Sequence, residues 1–313
     1  MADSPEYTYL RVSENNLNYI KDLYLDCFKE NVPLGFLKKK YDTSFAGLRD
    51  VGFFAMSQSG NPAAYYGVFP VLFTYNEKDI LAAQSGDTMT HSEHRGEGLF
   101  VNLAKHTYEF AKNNGVEFIF GFPNDQSYRG FVKLNWQFSG YTNKYQIYVT
   151  TLPLAKLSQK MTFLKPVYNT ETNFFIKKYL SRKSSFDNPL AASDTLTVNR
   201  NKNYFNYKSY YPKHLLNIDG HSVWLRTDGS MLVGDIENPE EDSFDKILSV
   251  LKSIAFKLGN HKIIFQTLKD SELDKCLSKR FTATEGLAVG WLPLKTDLDV
   301  SKIKVSFADF DTF

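Results

Sequence analysis

The chain has 313 residues, 42% of them hydrophobic and 23% charged, with a net charge of +2 at pH 7. That length suggests two domains of about 150 residues each, and the near-balanced charge leaves no footprint for nucleic acid. Two cysteines, Cys27 and Cys276, exclude a disulfide framework and favour a reducing compartment, the cytoplasm; the polar start resembles no signal peptide, and no apolar run approaches the ~18 residues of a membrane span.

Residues 7–12 read as an edge strand. Residues 15–30 read as a helix with Leu17, Ile20, Leu23 and Cys27 on one face. Residues 34–41 read as a shorter helix, and its Lys38-Lys39-Lys40 run as a solvated face. Strands at 51–58 and 63–75 join at Ser59-Gly60-Asn61-Pro62, a strong turn signal. The next strand runs from Ile80 to Thr90 and contains Gly86. An isolated glycine in a strand marks a bulge or a close backbone approach. A bulge there would splay the strand and free N–H and C=O groups for a ligand. Strand alternation, subject to that bulge, puts Ser85, Asp87, Met89 and His91 on one side.

Arg95, Gly96, Glu97 and Gly98 then lead into a helix with Leu99, Leu103, Thr107 and Phe110 at helical spacing. A helix N-terminus offers unpaired N–H groups and about half a positive charge. Glycines before it tolerate positive φ and let a phosphate approach the backbone closely. Arg95 can add a bidentate contact to phosphate oxygens. The following strand, 117–122, is almost wholly apolar, as a buried central strand is. Pro123 stops it, and Asn124 opens a short helix through Leu134.

This order resembles the GNAT superfamily of acyl-CoA-dependent N-acyltransferases over about residues 5–150. Arg95 and Gly98 match the family's loop signature, with Phe100 where glycine or alanine is usual. Asn124 matches the asparagine that contacts the coenzyme after the next strand. Phe131 stands where a tyrosine usually lies near the sulfur, followed by Lys133-Leu134-Asn135-Trp136. The resemblance implies a mixed, mostly antiparallel α/β sheet flanked by helices. It also implies acetyl-CoA as cosubstrate, held by Met89, Thr90, Arg95, Gly96, Glu97, Gly98, Leu99, Phe100, Asn124 and Phe131, with no metal. Phe131 cannot protonate a leaving thiolate, so the usual general acid is absent there.

Residues 151–200 read as a partly helical connector, with a polar, loop-like stretch at 181–194. In the second half, Val233-Gly234-Asp235 echoes Ser85-Gly86-Asp87. A helix follows with Phe244, Ile247, Leu248, Leu251, Ile254 and Leu258 on one face, then Gly259, an apolar strand at 262–265 and a short helix at 271–279. Residues 201–313 thus read as a second α/β domain after a GNAT-like first domain at 1–150, a diverged repeat offset by about 145 residues; generic βαβ spacing is the alternative. In it, Glu237-Asn238-Pro239-Glu240-Glu241-Asp242 replaces the glycine loop, and its carboxylates would repel a diphosphate. One cofactor site, in the first half, is expected.

The implied reaction moves an acetyl group from the thioester to a small primary amine, an amino sugar being one candidate. An amine with a pKa of about 10 must first lose a proton. Asp87, His91 and Glu93 are candidate bases, and a backbone N–H from Met89 or Thr90 can polarise the carbonyl. Tyr128, one helical turn before Phe131, is a candidate acid. The alternatives are a Fem-type tandem aminoacyl transferase and a non-catalytic acyl-CoA-binding or regulatory protein. With the cofactor site in the first half, the second half would shape the acceptor pocket or a homodimer contact.

Overall fold

The computed structural model describes residues 6–161, 163, 165–227 and 229–313. The first half runs β1 (Thr8–Arg11), α1 (Leu17–Phe28), α2 (Leu34–Tyr41), β2 (Gly52–Met56), β3 (Pro62–Tyr75), β4 (Lys78–Thr90), α3 (Leu99–Asn113), β5 (Phe118–Gly121), α4 (Asp125–Lys133) and β6 (Gln137–Tyr148). Then come α5 (Leu154–Lys160), α6 (Lys165–Ile176), β7 (Leu196–Val198) and α7 (Lys202–Tyr207). The second half has β8 (His214–Ile218), β9 (His221–Thr227), β10 (Met231–Ile236), α8 (Glu241–Lys257), β11 (Lys262–Thr267), α9 (Glu272–Ser278), β12 (Thr284–Pro293) and β13 (Ile303–Lys304). The elements expected around the glycine loop are present within a few residues of their expected ends.

The chain divides into two compact units. The first comprises residues 1–140, 206–210 and 288–302, the second 141–205, 211–287 and 303–313. In the first, strands order as β1-β2-β3-β4-β5-β12. Neighbours are antiparallel except β4 and β5, which are parallel because α3 crosses between them. One face packs on α1 and α2 through Ile20, Leu23, Leu37, Phe54 and Phe69. The other packs on α3 and α4 through Leu99, Leu103, Ala104, Ile119 and Phe131. Each helix forms because its apolar residues recur every three or four positions, which gives it one face to bury.

In the second unit the order is β6-β11-β10-β9-β8, again with one parallel pair, β10 and β11. Its core gathers Ile247, Leu251 and Ile254 of α8 with Val233, Ile263 and Phe265. The sequence β8-β9-β10-α8-β11-α9 reproduces β2-β3-β4-α3-β5-α4 in order and direction. The fold is therefore mixed α/β, as the sequence resemblance implied, and the second unit repeats the frame, as the echo of residues 85–87 at 233–235 suggested. Residues 143–148 of β6, which follow α4 directly in the chain, pair with β11. The strand beside β5 comes from the second half of the chain, Gly290 opposite Gly121. Each unit's sheet is completed by a strand from the other repeat.

Candidate active site

The site is built on β4. Along β3 and β4 the register passes from Tyr65 opposite Met89 to Gly67 opposite Gly86. Two steps on β3 meet three on β4, so β4 carries a bulge at Asp87-Thr88. Asp87 takes a left-handed φ of 52° there, uncommon for a residue with a side chain. The bulge reverses the alternation. The Ser85 hydroxyl lies 2.9 Å from the Tyr66 hydroxyl, on the α3 side, and Met89 belongs to the α1–α2 core. Ser85, Asp87, Met89 and His91 thus do not share a face: the extra residue turns the strand over between Ser85 and Asp87.

Asp87 points among α1 and α2. Its carboxylate accepts hydrogen bonds from the Tyr24 hydroxyl at 2.6 Å, the Lys40 ammonium at 2.7 Å and the Tyr41 hydroxyl at 3.0 Å. Lys40 is 1% exposed, not part of a solvated face. Burial, then the charge of Asp87, pushes the Tyr41 hydroxyl well above its ordinary pKa, so it stays a donor. Neither Tyr24 nor Tyr41 was singled out from sequence, and Lys40 was read only as part of a solvated run. A signal existed for Lys40, which falls three residues after Leu37 on the helix's inner face.

β4 and β5 pair only from Ala82–Phe118 to Gln84–Phe120. Beyond Gln84, β4 continues to Thr90 while β5 ends at Gly121. No strand pairs with that side of residues 85–90 among the described residues. The His91 N–H is donated to the Ala63 carbonyl at 2.9 Å. Antiparallel alternation then turns the Thr90 amide away from β3, into the opening, and the Met89 amide toward Tyr65. Gly121 guards the opening: a Cβ there would sit 3.4 Å from Ser85 Cβ and from the Ser85 carbonyl.

The glycine loop has the backbone geometry expected of it. Gly96 and Gly98 have φ of 92° and 71°, and Gly98 is the N-cap of α3. No side chain caps α3, and no acid lies in its first turn. Its leading N–H groups remain available to an anion. Arg95 is exposed and reaches the Thr90 carbonyl at 3.5 Å. Glu93 and Glu97 are exposed. The His91 ring accepts the Glu93 N–H at 3.3 Å through Nδ1, and its Nε2 lies 3.8 Å from Asp26. A neutral His91 in that state carries its proton on Nε2 and has no free lone pair. Asp26 accepts the Ser92 N–H at 2.7 Å, which with the Ser92 hydroxyl holds its carboxyl below the usual range despite burial.

Leu99, Phe100 and Phe131 face inward. Leu99 is buried, Phe100 packs edge-on to Tyr66 and Phe131, and Phe131, 4% exposed, packs on Trp136 at 4.3 Å. Asn124 is exposed and caps α4, its side-chain oxygen accepting from the Gln126 and Ser127 amides at 3.1 Å. Tyr128 stacks on Phe138 at 4.6 Å. A buried chain unread in the sequence links Ser85, Tyr66, Tyr108 and Trp136, with the two tyrosine oxygens 2.6 Å apart and Trp136 donating to Tyr108 at 3.0 Å.

The second unit repeats the frame with different chemistry. β10 carries its own bulge, Val233 opposite Leu225 and then Asp235 opposite Trp224. Asp235 accepts from the fully buried Arg200 at 2.8 Å. Arg200 also donates to Asp309 at 3.0 and 2.8 Å and to Ser306 at 2.7 Å. Glu237 accepts from Lys183 at 2.6 Å and from the Asp187 amide at 2.9 Å, which orders part of the polar 181–194 stretch. Glu241 and Asp242 occupy the first turn of α8. A pocket of about 260 Å³ nearby is lined by Pro189, Leu190, Asn238, Glu240, Ser271 and Glu272. Its carboxylates oppose a diphosphate. Among the described residues, no group of three or more His, Cys, Asp or Glu is placed to hold a metal, and no helix is long and apolar enough to cross a membrane.

The site thus combines an open edge on β4, a two-glycine loop and a helix start with no side-chain cap and no acid in its first turn. Residues 8–138 match the family model of the acetyltransferase (GNAT) domain. Three solved structures share the fold. A putative acetyltransferase from Pyrococcus horikoshii is 12% identical at a TM-score of 0.54, covering 96% of this chain and 95% of that one. A GCN5-related N-acetyltransferase from Kribbella flavida is 11% identical at 0.56, over 92% and 72%. A probable N-acyltransferase from Enterococcus faecalis is 11% identical at 0.59, over 93% and 73%. A comparison with curated proteins finds no match. The first unit is thus similar, over residues 8–138, to a GNAT acetyltransferase domain.

Proposed function

We propose that this protein is an N-acyltransferase that moves an acetyl group from acetyl-CoA to a small primary amine, with one acyl-CoA site, in the first unit. The open edge of β4 beyond Gln84, leading directly to the acid-free start of α3, carries this reading. The leading amides of α3, with Arg95, suit a diphosphate. The free edge at residues 85–90 suits an amide-bearing arm that pairs like a strand. The Thr90 amide is aimed where a thioester carbonyl would develop charge. In the second unit the corresponding helix start bears Glu241 and Asp242, so we assign it no acyl-CoA site.

Proton handling follows from the partners. Asp87 already accepts three hydrogen bonds, and His91 has its lone pair engaged. Glu93, exposed at the loop, is the carboxylate we assign as acceptor of the amine proton, through water. Phe131 leaves no hydroxyl for the departing sulfur, and with a thiol pKa of about 8.5 the thiolate leaves without a dedicated acid. A CoA substrate and two free cysteines fit the cytoplasm.

The test is calorimetry with acetyl-CoA on the wild type and on Gly98→Glu, followed by CoA release across a panel of primary amines. Binding by the wild type alone, then amine-dependent release, supports the reading. A wild type that binds no acetyl-CoA sinks it.

A further inference from the structure

Lys40 and Asp87 form an ion pair at 2.7 Å with side chains 2% and 6% exposed. A buried pair is poor value as a stabiliser, because desolving both charges offsets most of their attraction. It is better at fixing geometry. Asp87 sits at the apex of the β4 bulge in a strained, left-handed conformation. Its carboxylate is tied to two helices: Tyr24 on α1, and Lys40 and Tyr41 on α2. The far end of the clamp is also fixed, since the Lys40 carbonyl accepts from the Tyr207 hydroxyl at 2.9 Å and its ammonium lies 5.0 Å from the centre of the Phe69 ring.

The second unit solves the same problem with another cation. Its bulge residue, Asp235, is held by Arg200, buried and reached from outside the β10-α8-β11 segment, as Lys40 is reached from outside β4-α3-β5. Two units that differ throughout their loops share a buried cation on the bulge aspartate.

We infer that Lys40 is a positioning residue for acyl transfer: through Asp87 it holds the β4 bulge so that the open-edge amides following it, Thr90 among them, face the acyl carbonyl. This rests on the acyl-CoA reading above. The hydrogen bonds of Asp87 run to α1 and α2, so we assign the clamp to recognition of the acyl group, not of the coenzyme.

The experiment compares Lys40→Met, Lys40→Arg and Asp87→Asn with the wild type by two readouts. One is the ratio of the dissociation constants for CoA and acetyl-CoA. The other is hydrogen exchange of the 86–90 backbone, which needs no ligand. In Lys40→Met we expect exchange at 86–90 to accelerate at least tenfold, and any preference of the wild type for acetyl-CoA over CoA to fall toward one, with CoA affinity within about twofold. Lys40→Arg should restore both, as Arg200 serves Asp235. Asp87→Asn, which keeps the tyrosine hydroxyls as donors, gives the same direction if Lys40→Met folds poorly. Unchanged exchange and an unchanged ratio in a folded Lys40→Met or Asp87→Asn overturn the inference. A wild type that binds neither ligand overturns the acyl-CoA reading, while the exchange result still decides whether Lys40 holds the bulge.

Discussion

At the residue scale, identity mattered less than partners. Asp87, His91 and Glu93 were equivalent base candidates in the sequence, and only tertiary contacts separate them. Glu93→Gln should lower turnover at least about tenfold while leaving acetyl-CoA affinity unchanged, the pattern of a lost proton acceptor, measured by CoA release and calorimetry. Tyr128, stacked on Phe138, should tolerate Phe with turnover within about twofold; a larger loss would restore it as the acid. Phe131 behaves as core, so Phe131→Ala should cost about 3–5 kcal/mol in chemical denaturation. At Gly98 a side chain has room but the φ of 71° is wrong for it. Gly98→Ala should therefore destabilise by about 1–2 kcal/mol, whereas Gly98→Glu should also abolish acetyl-CoA binding.

At the scale of elements, what distinguishes the two repeats is the polar dressing of one shared strand-helix-strand frame. In the second unit, Asp274 on α9 is buried, which raises its pKa. Hydrogen bonds from Asn143, Thr267, Tyr145 and the Asp270 amide outweigh that and hold the carboxyl below its usual range. A folded-state pKa below the unfolded one contributes stability above about pH 4 that is lost as pH falls through the folded value. Acid unfolding of this unit should therefore steepen below pH 4, and Asp274→Asn should flatten that limb, followed by near-ultraviolet circular dichroism. Arg200→Met would strand Asp235 and Asp309 and should cost about 3–5 kcal/mol, read as a fall in the denaturation midpoint.

At the scale of the whole molecule, the halves of the chain and the units of the structure do not coincide. Residues 290–293 of β12 pair with β5, and 143–148 of β6 pair with β11. A fragment of residues 1–150 lacks the strand that covers β5 and leaves an apolar edge open to aggregation. It should be insoluble or molten, whereas the full chain should give a dispersed amide spectrum. A soluble, well-folded 1–150 fragment would show that β12 is dispensable to the first unit.

The sequence by itself determined the local frame: alternating and helical apolar periods, the turn at residues 59–62, the bulge glycine and the glycine loop all act within about fifteen residues, where periodicity and turn chemistry dominate. It also carried the family resemblance and the acidic replacement of the second loop. Tertiary structure alone decided which side Asp87 faces, because one extra residue inverts a strand. It alone decided which residues meet Asp87, since Lys40 lies 47 positions away. And it alone decided which strand covers β5: strand pairing follows from sheet edges left open by the rest of the fold, which local periodicity does not encode.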